Sequence, residues 1–98
     1  MGEAPVRSVA EVATAHAARY LVQLCKHFAH RIPASHAEGV GRIEFPIGVC
    51  DLAADGDGLR ITVTPAAADE LEALKDVVVR HLVRFAFREE LVFDWRRA

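Results

Sequence analysis

Residues 41–63 read GRIEFPIGVCDLAADGDGLRITV, and their pattern of apolar and polar residues decides the fold class. Apolar residues alternate with polar ones in three short runs, at 42–45, 49–52 and 59–63, which is the period of a β-strand. The connectors at 46–48 and 55–58 are rich in proline, glycine and aspartate, which favour tight turns. The stretch therefore predicts three antiparallel strands with one apolar face and one polar, solvated face.

A first amphipathic helix is predicted before this stretch. Thr14 is suited to be its N-cap, and Ile32 followed by Pro33 ends it, so we expect the helix over residues 15–31. Its apolar residues recur at helical spacing and form one stripe that we expect to be buried: Ala17, Leu21, Leu24, Phe28 and Ile32.

A second amphipathic helix is predicted after the stretch. Thr64 and Pro65 are suited to be its N-cap and first helical residue, and acids at 69, 70 and 72 suit the positive end of the helix dipole. We expect the helix to reach about Phe87. Its apolar stripe consists of Leu71, Leu74, Val78, Leu82 and Phe85.

Two further strands and a loop complete the predicted order of elements. Alternation over residues 6–13 indicates a first strand, alternation over 91–95 indicates a last one, and residues 34–40 are predicted as a loop. The order is then β-α-β-β-β-α-β. Because each helix has one apolar stripe, we expect an α+β two-layer sandwich, a mainly antiparallel sheet with two helices on one face. We expect a single domain over 6–98 and a flexible N-terminal arm over 1–5.

The composition is typical of one soluble globular domain. The chain has 98 residues, of which 52 % are hydrophobic and 27 % charged, so it is too short for two domains and too apolar to be disordered. No apolar run is long enough for a transmembrane helix, and the first five residues lack the apolar segment of a secretory signal. We therefore expect reduced thiols, a cytoplasmic location and no membrane partner. The net charge of −2 disfavours nucleic acid as a partner.

Basic residues are concentrated in the two predicted helices. Residues 12–37 contain no acid, and arginines recur every four residues at 80, 84 and 88. On one face of the sheet, the two helices would present a basic surface suited to a carboxylate, catecholate, phosphate or acidic protein. The alternative is that cations near helix C-termini only complement the helix dipole. The candidate ligand-binding residues are Arg19, Lys26, His27, His30, Arg84 and Arg88.

Histidines mark the side of the first helix opposite its apolar stripe. Five residues fall near one line on this side: His16, Tyr20, Gln23, His27 and His30. His27 and His30 are three residues apart and could reach one metal ion, so they are weak candidates for a metal site. No acid nearby in the sequence supplies a third ligand, and the simpler interpretation is a solvated polar face.

Cys25, Cys50 and Phe87 complete the set of candidate functional residues. Each cysteine is predicted on the apolar side of its element, as a small buried hydrophobic residue. A thiol redox pair is the alternative, although buried thiols react slowly. Phe87 points away from the apolar stripe, and we expect it to pack against the last strand. Its other possible role is that of an exposed anchor for a partner.

Several blocks of the sequence resemble one bacterial protein family. They are residues 16–21 (HAARYL), 24–30 (LCKHFAH), 41–45 (GRIEF), 81–82 (HL) and 84–89 (RFAFRE), with Gly48, Cys50 and Trp95. From about Val6 to Trp95 the chain resembles the family known as domain of unknown function 2218. The resemblance implies a small bacterial protein without an assigned activity. Relatives of this type are sometimes joined to, or encoded beside, siderophore-interacting flavoproteins, which implies a role in siderophore-iron utilisation with such a flavoprotein as partner.

These observations predict a binding or accessory domain rather than an enzyme. We expect no catalytic residue, no cofactor, and an anionic ligand or acidic partner on the basic helical surface. Two alternatives stay open. One is a metal- or thiol-redox protein that uses His27 with His30, or Cys25 with Cys50. The other is a structural module that forms a homodimer.

Overall fold

Six strands in one sheet carry two helices on one face in the computed structural model, which describes residues 6–98. The strands are β1 (Ser8–Ala13), β2 (Ala34–Ala37), β3 (Val40–Phe45), β4 (Gly48–Ala54), β5 (Gly58–Pro65) and β6 (Arg96–Arg97). The helices are α1 (Ala17–Ala29) and α2 (Leu71–Phe85). All strand pairs are antiparallel, in the order β2-β3-β4-β5-β1-β6. The predicted α+β fold class is confirmed. The arm predicted over residues 1–5 lies outside the described residues.

The strands predicted from residues 41–63 are consecutive in the sheet. Ile43 of β3 lies opposite Cys50 of β4, which lies opposite Val63 of β5, and all three side chains are completely buried. One position back on β3, Arg42 lies opposite Asp51 on the solvated face. The alternation fixes the register, because a slip of one residue would exchange the buried and solvated faces.

The predicted turn at 55–58 is held by the carboxylate of Asp55. Its Oδ1 atom accepts hydrogen bonds from the backbone N–H groups of Asp57, at 2.7 Å, and Gly58, at 2.9 Å. The side chain thus replaces backbone partners that the reversal of the chain leaves unpaired, as aspartate does in many tight turns. The next residue pair, Ala54 and Leu59, already belongs to the β4–β5 ladder.

Part of the segment predicted as a loop at residues 34–40 is an additional strand, β2. It pairs with β3 through a two-residue turn in which both Glu38 (φ 51°) and Gly39 (φ 81°) have positive φ. This backbone matches the twist of a two-residue hairpin. The sequence lacks a strand pattern here because β2 is a largely exposed edge strand with no buried face to specify.

Both helices begin later than predicted. α1 begins at Ala17, and the Thr14 hydroxyl accepts a hydrogen bond from the N–H of His16 at 3.1 Å, just before the helix. The expected start of α2 at Thr64 and Pro65 is wrong. Pro65 is the buried last residue of β5, opposite Gly48, and a 3₁₀ turn at Ala68–Glu70 separates it from α2. Proline is compatible with both positions, so the sequence signal was ambiguous.

The C-terminal strand pairs over a shorter stretch than its alternation suggests. Only Arg96 and Arg97 join the sheet, beside β1. The preceding segment, 91–95, still alternates in burial, because Leu91, Phe93 and Trp95 pack against the core while the residues between them are exposed. Side-chain packing rather than strand pairing therefore produces the period of two over residues 91–95.

The helical layer rests on two apolar stripes. In α1 the fully buried residues include Leu21, Leu24 and Cys25, and in α2 they are Leu74, Val78 and Leu82. Burial of each large aliphatic side chain stabilises the fold by about 1.5–3 kcal/mol. Neither helix within residues 6–98 has the length and hydropathy needed to span a membrane.

Gly41 allows α1 to lie close to the sheet. A Cβ atom at this position would be 2.7 Å from the Cys25 Sγ atom and 3.2 Å from Leu21 Cδ2. Both atoms belong to the buried stripe of α1. A side chain on residue 41 would therefore push α1 away from β3.

We predict that Gly41→Ala destabilises the protein by about 1–3 kcal/mol, because overpacking of a tight core costs this much. The matched control is Gly56→Ala, since a Cβ at position 56 meets no atom within 4 Å. Urea unfolding of both variants measures the difference. Adding Cys25→Ala to Gly41→Ala should recover part of the loss. An equal stability for the Gly41 and Gly56 variants would contradict the close contact.

Candidate functional site

The two helices run antiparallel and meet along the solvent side of the sheet–helix sandwich. Near the end of α1, His27 contacts His81 and Phe85 of α2, with ring centres 5.2 and 5.8 Å apart. Nearer the start of α1, Tyr20 reaches Glu89, which follows α2. Two neighbouring clusters of side chains result, one at Glu89 and one at His27.

The cluster at Glu89 is built on hydrogen bonds to its carboxylate. The hydroxyls of Tyr20 and Thr14 both donate to Glu89 Oε2, the latter at 2.9 Å. The Tyr20 hydrogen bond is the main cause that holds the pKa of Glu89 below its ordinary value. The same bond raises the pKa of Tyr20. The segment after α2 is thereby tied to the start of α1.

Tyr20 departs from its predicted position on the polar side of α1. It is only 5 % exposed, because the segment after α2 covers this part of α1 and supplies the carboxylate partner for the phenol. The sequence did not reveal this, since Tyr20 and Glu89 are 69 residues apart. Because residues 12–37 contain no acid, the sequence indicated only that any carboxylate partner for a side chain of α1 comes from another part of the chain.

A pocket of about 500 Å³ lies beside this hydrogen-bonded cluster. Its walls include His16, Arg19 and Gln23 from α1 and the residues before it, and Phe85, Arg88 and Glu89 from the end of α2 and the residues after it. Two guanidinium groups and one carboxylate therefore surround the same space. The volume is within the range of about 300–1,000 Å³ that is usual for small-molecule sites.

Phe87 stands at this pocket with most of its ring in solvent. Its side chain is 75 % exposed, and the guanidinium carbon of Arg88 lies 5.3 Å from the ring centre. The expectation that Phe87 packs against the last strand is therefore wrong. The chain after α2 is directed toward Tyr20 by Glu89, and this leaves the neighbouring Phe87 ring on the surface.

The cluster at His27 is an aromatic contact surrounded by cations. The Nδ1 atom of His81 lies 2.7 Å from the Val77 carbonyl, so this nitrogen carries the proton and donates it. Packing against Phe28, Phe85 and His81 removes part of the water around His27, and this lowers its pKa. Electrostatic interactions with residues 81, 84, 30 and 31 lower the pKa of His27 further.

The predicted ligand-binding residues are all exposed, and four of the six belong to the two clusters. Arg19 and Arg88 line the pocket at Glu89, and His27 and Arg84 belong to the second cluster. The other two, Lys26 and His30, lie on the exposed side at the end of α1. Within residues 6–98, salt bridges with acids are absent for Arg19, Lys26, Arg84 and Arg88. In contrast, Arg80 is paired with Asp76 at 3.0 Å.

The metal and thiol candidates are placed as follows. No three His, Cys, Asp or Glu side chains of the described chain come together in an arrangement that could hold a metal ion. Cys25 and Cys50 are free thiols, each at most 1 % exposed, and burial raises the pKa of both. The prediction that they are small buried hydrophobic residues agrees with this placement.

The opposite face of the sheet has a different electrostatic character. Three of its arginines are paired with acids: Arg42 lies 3.2 Å from Asp51, and both Arg60 and Arg96 pair with Glu11. Arg42, Arg60 and Arg96 of this outer sheet face therefore have acidic partners, whereas Arg19, Lys26, Arg84 and Arg88 of the helical face have none within residues 6–98. The two faces allow a matched comparison, because one arginine can be neutralised on either side.

The sequence matches the family described as "Uncharacterized protein conserved in bacteria (DUF2218)" over residues 9–96. The chain belongs to this family. It is also similar to the NMR structure of PA4090 from Pseudomonas aeruginosa, with 34 % sequence identity and a TM-score of 0.78. That match covers 93 % of this chain and 95 % of the other. No curated protein matches the chain. The predicted resemblance to DUF2218 is thus confirmed, and the description of the family names no activity.

We predict that Tyr20→Phe lowers the free energy of unfolding at about pH 7 and has a smaller effect at about pH 3. The lost hydrogen bond depresses the pKa of Glu89, so its stabilisation is present above the unfolded pKa of about 4.5 and disappears as the pH falls through the folded pKa. Urea unfolding at both pH values measures this. An equal loss at both would show that the carboxylate is not the partner.

Proposed function

We propose that this DUF2218 protein is a binding domain whose cationic helical face receives an anionic ligand or an acidic partner. The residues that we assign to this surface are Arg19, Lys26, His27, His30, Arg84 and Arg88. The observation that carries the proposal is that its fixed cations have no acidic partners within residues 6–98, while Arg42, Arg60 and Arg96 of the outer sheet face are paired.

The pKa of His27 supports a positive potential at this surface. Desolvation is the largest cause that lowers the pKa of His27; electrostatic interactions with His81, Arg84, His30 and Arg31 lower it further, and none of the charges that act on it raises it. A surface where cations repel one another attracts anions, since a bound anion relieves the repulsion. Guanidinium groups are also suited to recognise carboxylate and phosphate through paired hydrogen bonds.

The finer assignment, to siderophore-iron utilisation, follows from the resemblance to DUF2218. It is consistent with the positive charge of this surface. Most ferric siderophores are anions, and a flavoprotein that handles them would be the corresponding partner. The ligand in this proposal is an intact anionic complex, held by cations and hydrogen bonds. It requires no metal ligand from the protein.

The two alternatives have less support. A thiol redox pair would need accessible thiolates, but Cys25 and Cys50 are buried and the pKa of each is raised. A metal site at His27 and His30 would need a third ligand, and the arginines around His27 oppose the binding of a cation. A homodimer could use the exposed Phe87, and sedimentation at high concentration tests that possibility.

We predict that the gallium(III) form of a catecholate siderophore, chosen because it is diamagnetic, shifts the NMR signals of the His27 and His30 rings. A polyglutamate peptide is the probe for an acidic partner. Arg84→Gln should weaken binding of whichever probe shifts the histidine signals by about three- to tenfold, since it removes one positive charge close to the bound anion. Arg42→Gln changes the net charge equally on the outer sheet face, and should alter binding by less than about twofold.

The proposal fails if neither probe shifts a histidine signal at a saturating concentration. It also fails if the Arg42 and Arg84 variants lose affinity equally, because binding would then reflect the net charge and not the helical face. Weaker binding at higher salt supports the proposal, since exposed charges are screened.

A further inference from the structure

We propose that the pocket beside Glu89 selects a planar aromatic anion, with the Phe87 ring and the guanidinium groups of Arg19 and Arg88 as its recognition elements. This inference rests on the proposed function and deepens it, because it names the ligand class and one of the two clusters as the place of binding. Its residues lie on one pocket of about 500 Å³.

The aromatic part of the proposal comes from the exposure of Phe87. A phenylalanine ring that is 75 % exposed at the rim of a pocket is available to stack against a flat ligand. Large exposed apolar side chains at a concave site are a feature of binding surfaces. The neighbouring Arg88 guanidinium lies 5.3 Å from the ring centre, so a planar cation and an aromatic ring already stand together.

The anionic part comes from the balance of charges in the pocket. Arg19 and Arg88 bring two permanent positive charges, and Glu89 brings one negative charge. Neither arginine forms a salt bridge with an acid within residues 6–98. The remaining positive charge favours a ligand with a carboxylate, sulfonate or phosphate group beside its ring.

Glu89 has a positioning role in this proposal. One of its oxygens, Oε2, accepts the hydrogen bonds from Tyr20 and Thr14, and these hold the segment that carries Phe87 and Arg88. Its negative charge nevertheless opposes an anionic ligand. Replacement by glutamine keeps a carbonyl oxygen for the two hydroxyls and removes the charge, so Glu89→Gln should bind an anion more tightly.

Three probes separate the contributions of ring and charge. 2-Naphthoate has both, cyclohexanecarboxylate has the charge without an aromatic ring, and 2-naphthamide has the ring without the charge. We expect 2-naphthoate to bind about fivefold or more tightly than either of the others, and to shift backbone NMR signals at residues 19 and 85–89.

Variants then test the individual side chains by NMR titration. Phe87→Leu should weaken 2-naphthoate about three- to tenfold and leave cyclohexanecarboxylate within about twofold. Arg88→Gln should weaken both carboxylates, and Glu89→Gln should strengthen both by about fivefold. Arg42→Gln is the control, because this arginine lies on the outer sheet face, outside the pocket lining, and should have little effect on either.

The outcomes distinguish this inference from the function on which it rests. Equal affinity for 2-naphthoate and either of the other probes, or no change with Phe87→Leu, overturns the aromatic-anion site. If the gallium siderophore or polyglutamate still binds the helical face, the proposed function stands without it. If no anion binds that face at all, both fail. Weaker carboxylate binding by Glu89→Gln would also overturn the arrangement.

Discussion

The hydrogen bonds from Tyr20 and Thr14 to Glu89 connect the fold to its candidate site. They join the start of the first helix to the segment after the second, across 69 and 75 residues of sequence. Within residues 6–98, no other side-chain hydrogen bond joins the segment after the second helix to the first helix or to the residues just before it. The position of Phe87 and Arg88 beside Arg19 depends on this connection.

The contrast between the two faces of the sheet explains why a chain with a net charge of −2 can present a cationic surface. On the outer sheet face, Arg42 pairs with Asp51, and Arg60 and Arg96 both pair with Glu11. On the helical face, the first helix lies in an acid-free stretch of sequence. The acids of the second helix lie in its first half, where Glu72 pairs with Lys75 and Asp76 pairs with Arg80. Net charge therefore hides the distribution that matters for binding.

The sequence was informative wherever a buried face imposed a period. Alternation at Ile43, Cys50 and Val63 and helical spacing at Leu74, Val78 and Leu82 predicted the sheet, the helices and their common core. The edge strand at Ala34–Ala37 was not predictable in this way, because no apolar face constrains it. Thr64 and Pro65 gave a wrong start for the second helix, because proline is compatible with the end of a strand and with the start of a helix.

For the candidate site, the sequence predicted which residues are basic but not how they are grouped. His81 and Glu89 were missed, since both act through contacts with the other helix rather than through neighbours in sequence. Only the antiparallel contact of the helices shows that Arg19 belongs with Arg88 and that His27 belongs with Arg84.

The most direct measurement of the central claim is the pKa of His27, followed by NMR at increasing concentrations of a simple salt. Desolvation by the neighbouring rings and the neighbouring cations both lower this pKa, but only the effect of the cations is screened by salt. The account predicts a pKa below the ordinary 6.5 at low salt that rises as salt is added. A pKa that falls with added salt would mean that the surroundings of His27 are negative, and would contradict a cationic binding face.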